Sequence, residues 1–453
     1  VLRPRAADGT YQTADGDLPF VEVVEQIEIK GGEAEEFDIR ETIWGPVHDN
    51  ADYPEGEVAV RWLAHDVRAL NLNLLRLETA ESVDEALEVA STMGGPPQNF
   101  VVGDRGGSIG WTIAGQIPVR DGYQPFLPAD WSDGSGWSGW LEPERYPRVL
   151  NPGSGRIWTA NARVADGEAL RLIGDSGYDL GARARQIRDA LFEKDRFTAA
   201  DMLDIQIDDR ALFLSRWRDL LLEELTDAAI AGDAGLAEYR ELVRDWIPRA
   251  VPESVGYRLV RTFRLEVQSR VFHALMAPAR AEYGEDVDLR LSNQFEGPLW
   301  ALVNEQPEHL LPGRYDSWQA LFVDAVQGAT RHFEENYGPS LADRSWGERN
   351  TVRIRHMLSG ALPMFNGFLD IPDEPLAGDV DLPRAQGRQF GASQRFSVAP
   401  GDETNGIMHI PAGQSGHPLS DFYRKGHEDW ATGAPSPFLP GETQHKLLLT
   451  PAE

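Results

Sequence analysis

Residues 97–120 read PQNFVVGDRGGSIGWTIAGQIPVR and carry the clearest structural pattern in the chain. Two apolar runs, 99–102 and 109–117, flank a segment rich in Gly, Asp and Ser, which predicts an antiparallel hairpin. Within it, GGSIG formally matches the G-x-S-x-G nucleophile elbow, which needs a helix directly after the serine. Because the residues after Ser108 have a strand pattern, we interpret them as a hairpin turn; an α/β-hydrolase-like esterase using Ser108 is an alternative.

Working outward, the chain shows strands, then helices, then strands. A second hairpin is predicted about Gly31-Gly32, and Ser82 with Glu85 forms a capping box that opens a helix. Helical periodicity predicts three further long helices, over 198–225, over 257–276 and from Asp316-Ser317 onward. The pattern indicates an α+β fold. We expect one domain over 1–453, strand-rich over 1–180, helical over 181–345 and strand-rich again over 346–453.

Composition excludes several classes of protein. The 453 residues include 43 Lys+Arg and 73 Asp+Glu, a net charge of −30, and no Cys. Disulfide scaffolds, thiolate metal sites and Cys nucleophiles are therefore excluded within this stretch. The acidic balance argues against nucleic-acid binding, and the absence of a long apolar run argues against a membrane span. Only 4 of the 43 basic residues are Lys, which is compatible with a salt-adapted, halophilic surface or with a GC-rich genome.

Two short motifs have ordinary structural interpretations. Gly174-Asp175-Ser176-Gly177 is similar to the serine context of trypsin-like proteases, but a helical pattern surrounds it. His427-Glu428-Asp429 could supply metal ligands, yet a solvated helix face is the preferred interpretation. The chain opens on Val1 without a signal-peptide pattern, so we expect a processed product or a fragment.

Several segments together resemble the penicillin amidase (penicillin acylase) family of N-terminal nucleophile hydrolases. The 97–120 stretch resembles that family's hairpin followed by G-x-I-P-x-R. NPGSGRIWTANAR over 151–163, YDLGARARQI over 178–187 and PAGQSGHPLSDFY over 411–423 resemble three further family motifs. The motifs occur in the family's order, so the resemblance spans nearly the whole chain.

The resemblance implies an αββα sandwich, an autoproteolytic precursor, and the N-terminal Ser of a β subunit as nucleophile. The α-amino group of that serine would act as its base. By motif, Asn161 matches the asparagine that stabilises the oxyanion, and Arg183 matches the arginine that organises the terminal amine. Gln98 is a candidate for the substrate pocket.

The resemblance also implies one structural calcium ion and no organic cofactor. Pro125 falls where the family uses a main-chain carbonyl ligand. The family's carboxylate ligand falls on Leu172, with Asp175 nearby as a substitute.

The family further implies partners and a location. Val1 corresponds to a point inside the β subunit, so we expect the α subunit and the N-terminal part of the β subunit as partners. The expected reaction is hydrolysis of the acyl amide of a small N-acylated molecule, such as a β-lactam antibiotic or an N-acyl-homoserine lactone, in the periplasm or outside the cell. The isolated chain would be inactive, and a catalytically silent binding module is a third possibility.

Overall fold

The computed structural model describes residues 4–5, 9–48, 57–121, 127–175, 177–284 and 291–451. The chain divides into two compact units. The first comprises Val1–Asp179 with Gly284–Arg290, and the second comprises Leu180–Tyr283 and Leu291–Glu453. The expectation of one domain over 1–453 stays a prediction, since compactness alone does not define a domain.

The first unit is built mainly from antiparallel strands. They form a three-stranded sheet β1-β2-β3, a four-stranded sheet β4-β5-β6-β7, a three-stranded sheet β12-β9-β8 and a pair β10-β11. The bounds are β1 Pro4–Arg5, β2 Thr10–Thr13, β3 Gly16–Pro19, β4 Val21–Ile27, β5 Glu35–Thr42, β6 Gly45–His48, β7 Val58–Ala59, β8 Gln98–Gly103, β9 Ile109–Ala114, β10 Pro118–Asp121, β11 Gly136–Trp140 and β12 Val149–Leu150. Both predicted hairpins are present, as β4-β5 and β8-β9.

Hydrogen bonds from the segment that follows β11 stabilise the β8-β9 hairpin near both ends of β9. Asn151 Oδ1 accepts a hydrogen bond from the Ile109 N–H at 2.9 Å, and the Asn151 N–H donates to Ile109 O at 2.9 Å. Beyond the other end, the buried Tyr146 hydroxyl accepts from the Ile117 N–H at 3.1 Å and donates to Gly115 O at 3.0 Å. The Tyr146 bonds satisfy backbone groups that would otherwise be buried without partners, and the more exposed Asn151 bonds hold the start of β9 in place.

The described part of the first unit contains two α-helices, α1 Val83–Thr92 and α2 Gly167–Ile173. Ser82 caps α1, accepting a hydrogen bond from the Glu85 N–H. In a capping box the Glu85 carboxylate would accept from the Ser82 N–H. Here it accepts instead from the N–H of Glu81, one residue before the N-cap, so the second bond of the box is displaced by one residue. A Cβ at Gly110 would lie 2.7 Å from a Val83 methyl carbon and 2.9 Å from a Leu87 methyl carbon, so glycine allows α1 to pack closely on β9.

The second unit is largely helical, with short strand pairs β13-β14 and β15-β16. Its elements are α3 Ala182–Leu191, α4 Ala199–Gln206, α5 Leu212–Glu224, α6 Ala234–Arg244, α7 Val255–Leu275, α8 Ala277–Tyr283, α9 Glu296–Glu305, α10 Trp318–Tyr337, α11 Trp346–Arg349, β13 Thr351–Val352, α12 Asn366–Leu369, β14 Glu374–Pro375, β15 Arg395–Ser397, β16 Ile407–His409 and α13 His427–Thr432. The α+β class expected from the sequence is confirmed. The predicted helices over 257–276 and from Ser317 match α7 and α10 closely.

The prediction of one helix over 198–225 was wrong, because a break separates α4 from α5. The break contains two buried carboxylates, Asp208 and Asp209. Asp208 accepts hydrogen bonds from the Arg210 N–H and guanidinium, and Asp209 pairs with Arg249 at 2.6 Å. A continuous helix would not bring these acids to both cations, and buried charges are stable only when paired.

A buried carboxylate joins three helices of the second unit. Glu296, the first residue of α9, is 1% exposed. One of its oxygens accepts from Arg216 at 2.6 Å and from Trp217 Nε1 at 2.8 Å, and the other accepts from Arg264 Nε at 2.9 Å. The carboxylate therefore links α9 to α5 and α7 inside the apolar core of this unit.

Across the described ranges, the chain has no helix with both the length and the hydropathy needed to cross a bilayer.

We predict that Glu296→Ala destabilises the second unit by about 3–5 kcal/mol, because it leaves Arg264 buried without its principal carboxylate partner. Urea unfolding followed by tryptophan fluorescence measures the change. Glu305→Ala, at the exposed end of the same helix, is the matched control and should change the free energy of unfolding by less than about 0.5 kcal/mol. Equal effects of the two variants would show that the Glu296 network contributes no special stability.

We predict that Gly413→Ala is strongly destabilising, since its Cβ would lie only 1.6 Å from the backbone oxygen of Phe422. Backbone must move to relieve that clash, at a cost of about 1–3 kcal/mol or more. Gly416, three residues on, has nothing within 4 Å of the corresponding position. Gly416→Ala should therefore unfold at nearly the wild-type temperature in a thermal melt. A Gly413→Ala melt that superimposes on it would contradict the packing described here.

Candidate functional site

A cavity of about 1200 Å³ opens within the first unit. Ligand pockets for small molecules usually measure about 300–1000 Å³, so this one can hold a complete drug-sized molecule. Its lining combines apolar and aromatic side chains with a small number of polar groups, which are His48, Arg61, Gln98, Asn99, Arg120, Thr159, Asn161 and Asp175.

Tryptophans form much of the apolar wall. Trp44, Trp131 and Trp137 all line the cavity. The rings of Trp44 and Trp131 meet edge-to-face, with centroids 6.2 Å apart and planes at 81°. Behind Trp44 stands the buried ring of Tyr11, at 5.6 Å, whose hydroxyl accepts a hydrogen bond from the Ile43 N–H at 2.8 Å. Such interlocked rings give a rigid surface for an apolar substrate group.

Asn161 lies on the cavity wall in a non-helical, non-strand segment, and its side chain is exposed. Its backbone oxygen accepts a hydrogen bond from the Asp179 N–H at 2.9 Å, and the next residue, Ala162, forms a parallel β-bridge with Asp179. The backbone at Asn161 is therefore fixed, and the residue forms part of the cavity lining. An amide N–H in this position can donate to a negatively charged oxygen.

Gln98 and Asn99, the first two residues of β8, also line the cavity. They pair with Ala114 and Ile113 of β9, so the register of the β8-β9 hairpin fixes their positions along the cavity wall. Asn99 Oδ1 accepts a hydrogen bond from Trp111 Nε1 at 2.9 Å. Gln98 is exposed, which leaves its side chain accessible from the cavity.

Arg120 and Tyr178 stabilise the part of the cavity wall formed by residues 172–174. Arg120 donates to the carbonyl oxygens of Leu172 and Ile173 at 3.1 and 3.3 Å. The Tyr178 hydroxyl donates to Gly174 O at 2.9 Å, and burial, followed by the nearby charge of Asp175, raises the pKa of this phenol. Tyr178 therefore stays neutral at physiological pH, and its hydroxyl stabilises the wall by donating to the Gly174 carbonyl.

The residues expected to bind calcium do not assemble a complete donor set in the part of the chain that is described. Pro125 lies outside the described residues. Asp175 Oδ1 accepts a hydrogen bond from the Gly177 N–H at 3.1 Å, and the Leu172 carbonyl accepts from Arg120. No group of three or more His, Asp or Glu side chains suited to a metal occurs among the described residues. Asp175 alone does not make a calcium site, so calcium binding stays a prediction.

The four candidate residues within described ranges fall into two places. Gln98, Asn161 and Asp175 line the same cavity of the first unit. Arg183 belongs to the second unit, where it is the second residue of α3 and is half-buried.

The structure places Ser108 on a turn between two antiparallel strands, with its N–H donating to Asp104 Oδ1 at 3.0 Å. No helix follows it, so the strained elbow that exposes a hydrolase serine is missing. The hairpin interpretation is confirmed at this position. Ser176, of the protease-like motif, lies outside the described residues.

The expectation that His427 is solvated was wrong. Its side chain is only 12% exposed and lies 2.6 Å from a Glu374 carboxylate oxygen. Nδ1 lies 2.7 Å from Pro411 O, and the ring stacks on Trp430. These contacts give His427 a structural role in joining α13 to β14.

Sequence reasoning missed Arg61, His48 and the tryptophans of the cavity. None belongs to a motif. His48 and Trp137 reach the wall through strand pairings, β6 with β7 and β11 with β10, and the others lie on segments outside the strands. The richness of 121–160 in Trp was the available signal, since exposed loops seldom retain several tryptophans without packing them.

Comparison with known proteins agrees with this architecture. The family described as Penicillin amidase matches residues 2–446. The chain is 28% identical over 436 residues to penicillin acylase 2 proenzyme of Pseudomonas sp. (strain SE83), covering 92% of this chain and 53% of that protein. It is 24% identical over 512 residues to acyl-homoserine lactone acylase QuiP of Pseudomonas aeruginosa, covering 99% of this chain and 59% of that protein.

A solved structure, a thermostable penicillin G acylase from Alcaligenes faecalis, superimposes with a TM-score of 0.67 over 99% of this chain and 85% of that chain, at 19% identity. At this identity the likeness concerns the fold. The chain spans about half the length of the curated relatives it matches. Because the family match runs through nearly all of its residues, the chain belongs to the penicillin amidase family of N-terminal nucleophile hydrolases.

Proposed function

We propose that this chain supplies most of the catalytic subunit of an amidohydrolase, which cleaves the acyl amide C–N bond of a small N-acylated molecule. The observation that supports the proposal is that Asn161 is among the residues lining a large cavity rich in aromatic side chains. Family membership makes amide hydrolysis the expected reaction class, and the cavity has room for both the acyl and the amine part of a substrate.

The proposed reaction begins with the hydroxyl of an N-terminal Ser that lies outside the 453 residues. Its own α-amino group takes the proton as the hydroxyl oxygen attacks the amide carbon. The carbonyl oxygen becomes an oxyanion, and the Asn161 side-chain N–H donates a hydrogen bond to it. The protonated amine then returns the proton to the leaving nitrogen as the C–N bond breaks. Water hydrolyses the resulting ester by the same steps and releases the acid.

The backbone bond between Asn161 O and the Asp179 N–H supports this role, because it holds the main chain from which the amide donor extends. A donor that is already oriented costs no reorganisation at the moment that charge develops, and one such donor contributes about 10²–10³-fold in rate.

Arg183 is proposed to act through the terminal amine. A guanidinium near an α-amino group favours the neutral form of the amine and lowers its pKa. The neutral amine is the form that can accept the serine proton, so the arginine would keep the base active toward lower pH.

The substrate is proposed from the cavity and from the relatives. The tryptophan wall favours an apolar or aromatic acyl group, and Gln98 can hydrogen-bond a polar substituent. Penicillins and N-acyl-homoserine lactones are the candidates that the relatives' names suggest. The αββα sandwich, autoproteolytic processing, assembly with an α subunit and an exported location complete the proposal.

We predict that Asn161→Ala in the full-length processed protein lowers kcat for an N-acyl amide by about 10²–10³-fold, with a smaller change in KM. Steady-state hydrolysis measures it, and circular dichroism verifies folding. Asn336→Ala, at an exposed position of α10, is a residue-matched control that should retain wild-type kcat. Full activity of the Asn161 variant would remove this residue from the mechanism.

We predict that Arg183→Ala shifts the acid limb of the kcat/KM pH profile upward by up to about one pH unit. The sign follows because losing the cation raises the pKa of the terminal amine, so a higher pH is needed to make it neutral. Arg185→Ala changes an exposed arginine of the same helix that pairs with Asp189 and should leave the profile in place. An unshifted profile for Arg183→Ala would mean that this arginine does not act on the base.

A further inference from the structure

Arg61 is a cation of the cavity wall that the proposed reaction does not use. It follows β7, is half-buried, and shares the cavity with Asn161. Its guanidinium lies over the Trp137 ring, 5.3 Å from the ring centre, and one Nη donates to Ile43 O at 3.3 Å. These two contacts fix the plane of the guanidinium and leave further N–H donors available for a ligand.

Arg61 forms no direct ion pair with the described residues. Its charge does act at longer range on Asp66, whose pKa is lowered mainly by the Arg68 backbone N–H and, as a smaller cause, by Arg61. Asp66, an acid close in sequence, accepts instead from the Arg68 backbone N–H at 2.9 Å and from Arg68 Nε at 3.3 Å. The other lining arginine, Arg120, is turned toward the Leu172 and Ile173 carbonyls. In a chain with a net charge of −30, Arg61 is thus a half-buried arginine of the cavity lining with no carboxylate of the described residues at hydrogen-bond distance.

We infer that Arg61 binds a carboxylate of the substrate, so that the preferred substrates are N-acyl compounds bearing a carboxylate rather than uncharged ones. A guanidinium meets a carboxylate through two parallel hydrogen bonds, which fixes orientation as well as adding affinity. Its stacking on Trp137 lowers the conformational entropy lost on binding. This inference rests on the proposed amide hydrolysis. It selects penicillin-like substrates over N-acyl-homoserine lactones, which carry no charge.

The test uses the full-length processed protein and two matched pairs of amides. One pair shares an acyl group and differs by a carboxylate on the amine, as an N-acyl-3-aminobenzoate differs from the N-acyl anilide. The other pair shares the amine and differs by a terminal carboxylate on the acyl chain, as a glutaryl amide differs from a pentanoyl amide. Arg61→Met keeps much of the side-chain length and removes the charge. Arg61→Lys keeps the charge but lacks the paired N–H donors of a guanidinium.

We expect Arg61→Met to lower kcat/KM for the carboxylate-bearing amide of one pair by about 10- to 100-fold, mainly by raising KM. For the uncharged amide of the same pair, kcat/KM should change by less than about twofold. Arg61→Lys should restore part of the loss. Arg68→Met is the matched control, because Arg68 lies over Trp140 in the same way, at 5.0 Å, but does not line the cavity. It should change neither member.

Two results would overturn the inference while leaving the proposed function intact. One is an equal loss on charged and neutral amides, and the other is no loss on either. A wild-type protein that hydrolyses none of the four amides would instead remove the proposed function, and the inference with it.

Discussion

The hydrogen bonds that hold strand β9 near both of its ends are the constraint on which the cavity depends. Tyr146 satisfies the backbone just beyond one end, and Asn151 pairs with Ile109 at the other. Asn151 adopts a φ of +44° to do so, a left-handed conformation that asparagine tolerates better than most residues. A one-residue slip of β9 would move each of its side chains to the opposite face, and these bonds prevent it.

The consequences extend from β9 to the chemistry. Because β8 pairs with β9 residue by residue, the same bonds set the positions of Gln98 and Asn99 on the wall. The segment that follows β12 then continues to Asn161, whose backbone is fixed separately by Asp179. The wall is thus built from main-chain hydrogen bonds and packed rings. Several polar side chains of the lining are held by hydrogen bonds to the protein, among them Asn99, Arg120 and Asp175, and donors oriented in advance are what a preorganised site requires.

The sequence could predict the local features and not the long-range ones. The hairpins, the Ser82 cap and the extents of α7 and α10 follow from patterns within a few residues, where turn chemistry and periodicity dominate. The break between α4 and α5 depends on Asp209 meeting Arg249, a partner 40 positions away in sequence. His427 likewise seemed exposed because Glu374 could not be foreseen as its neighbour.

The candidate site shows the same division. Asn161 and Gln98 were identified by family motifs, which preserve residues whose chemistry is constrained. Arg61 belongs to none of the motifs that carry the family resemblance, so nothing local in the sequence singled it out. Its position over Trp137 requires β6, β7 and β11 to be placed first, and periodicity cannot supply that arrangement.

The most direct test of this account is a crystal structure of the full-length protein after inactivation by a serine-directed sulfonyl fluoride. We predict a covalent adduct on an N-terminal Ser outside the 453 residues. Its sulfonyl group should lie in the cavity of the first unit, with one oxygen about 2.7–3.1 Å from the Asn161 side-chain nitrogen. An adduct on Ser108, or one whose oxygens are out of reach of Asn161, would contradict the account.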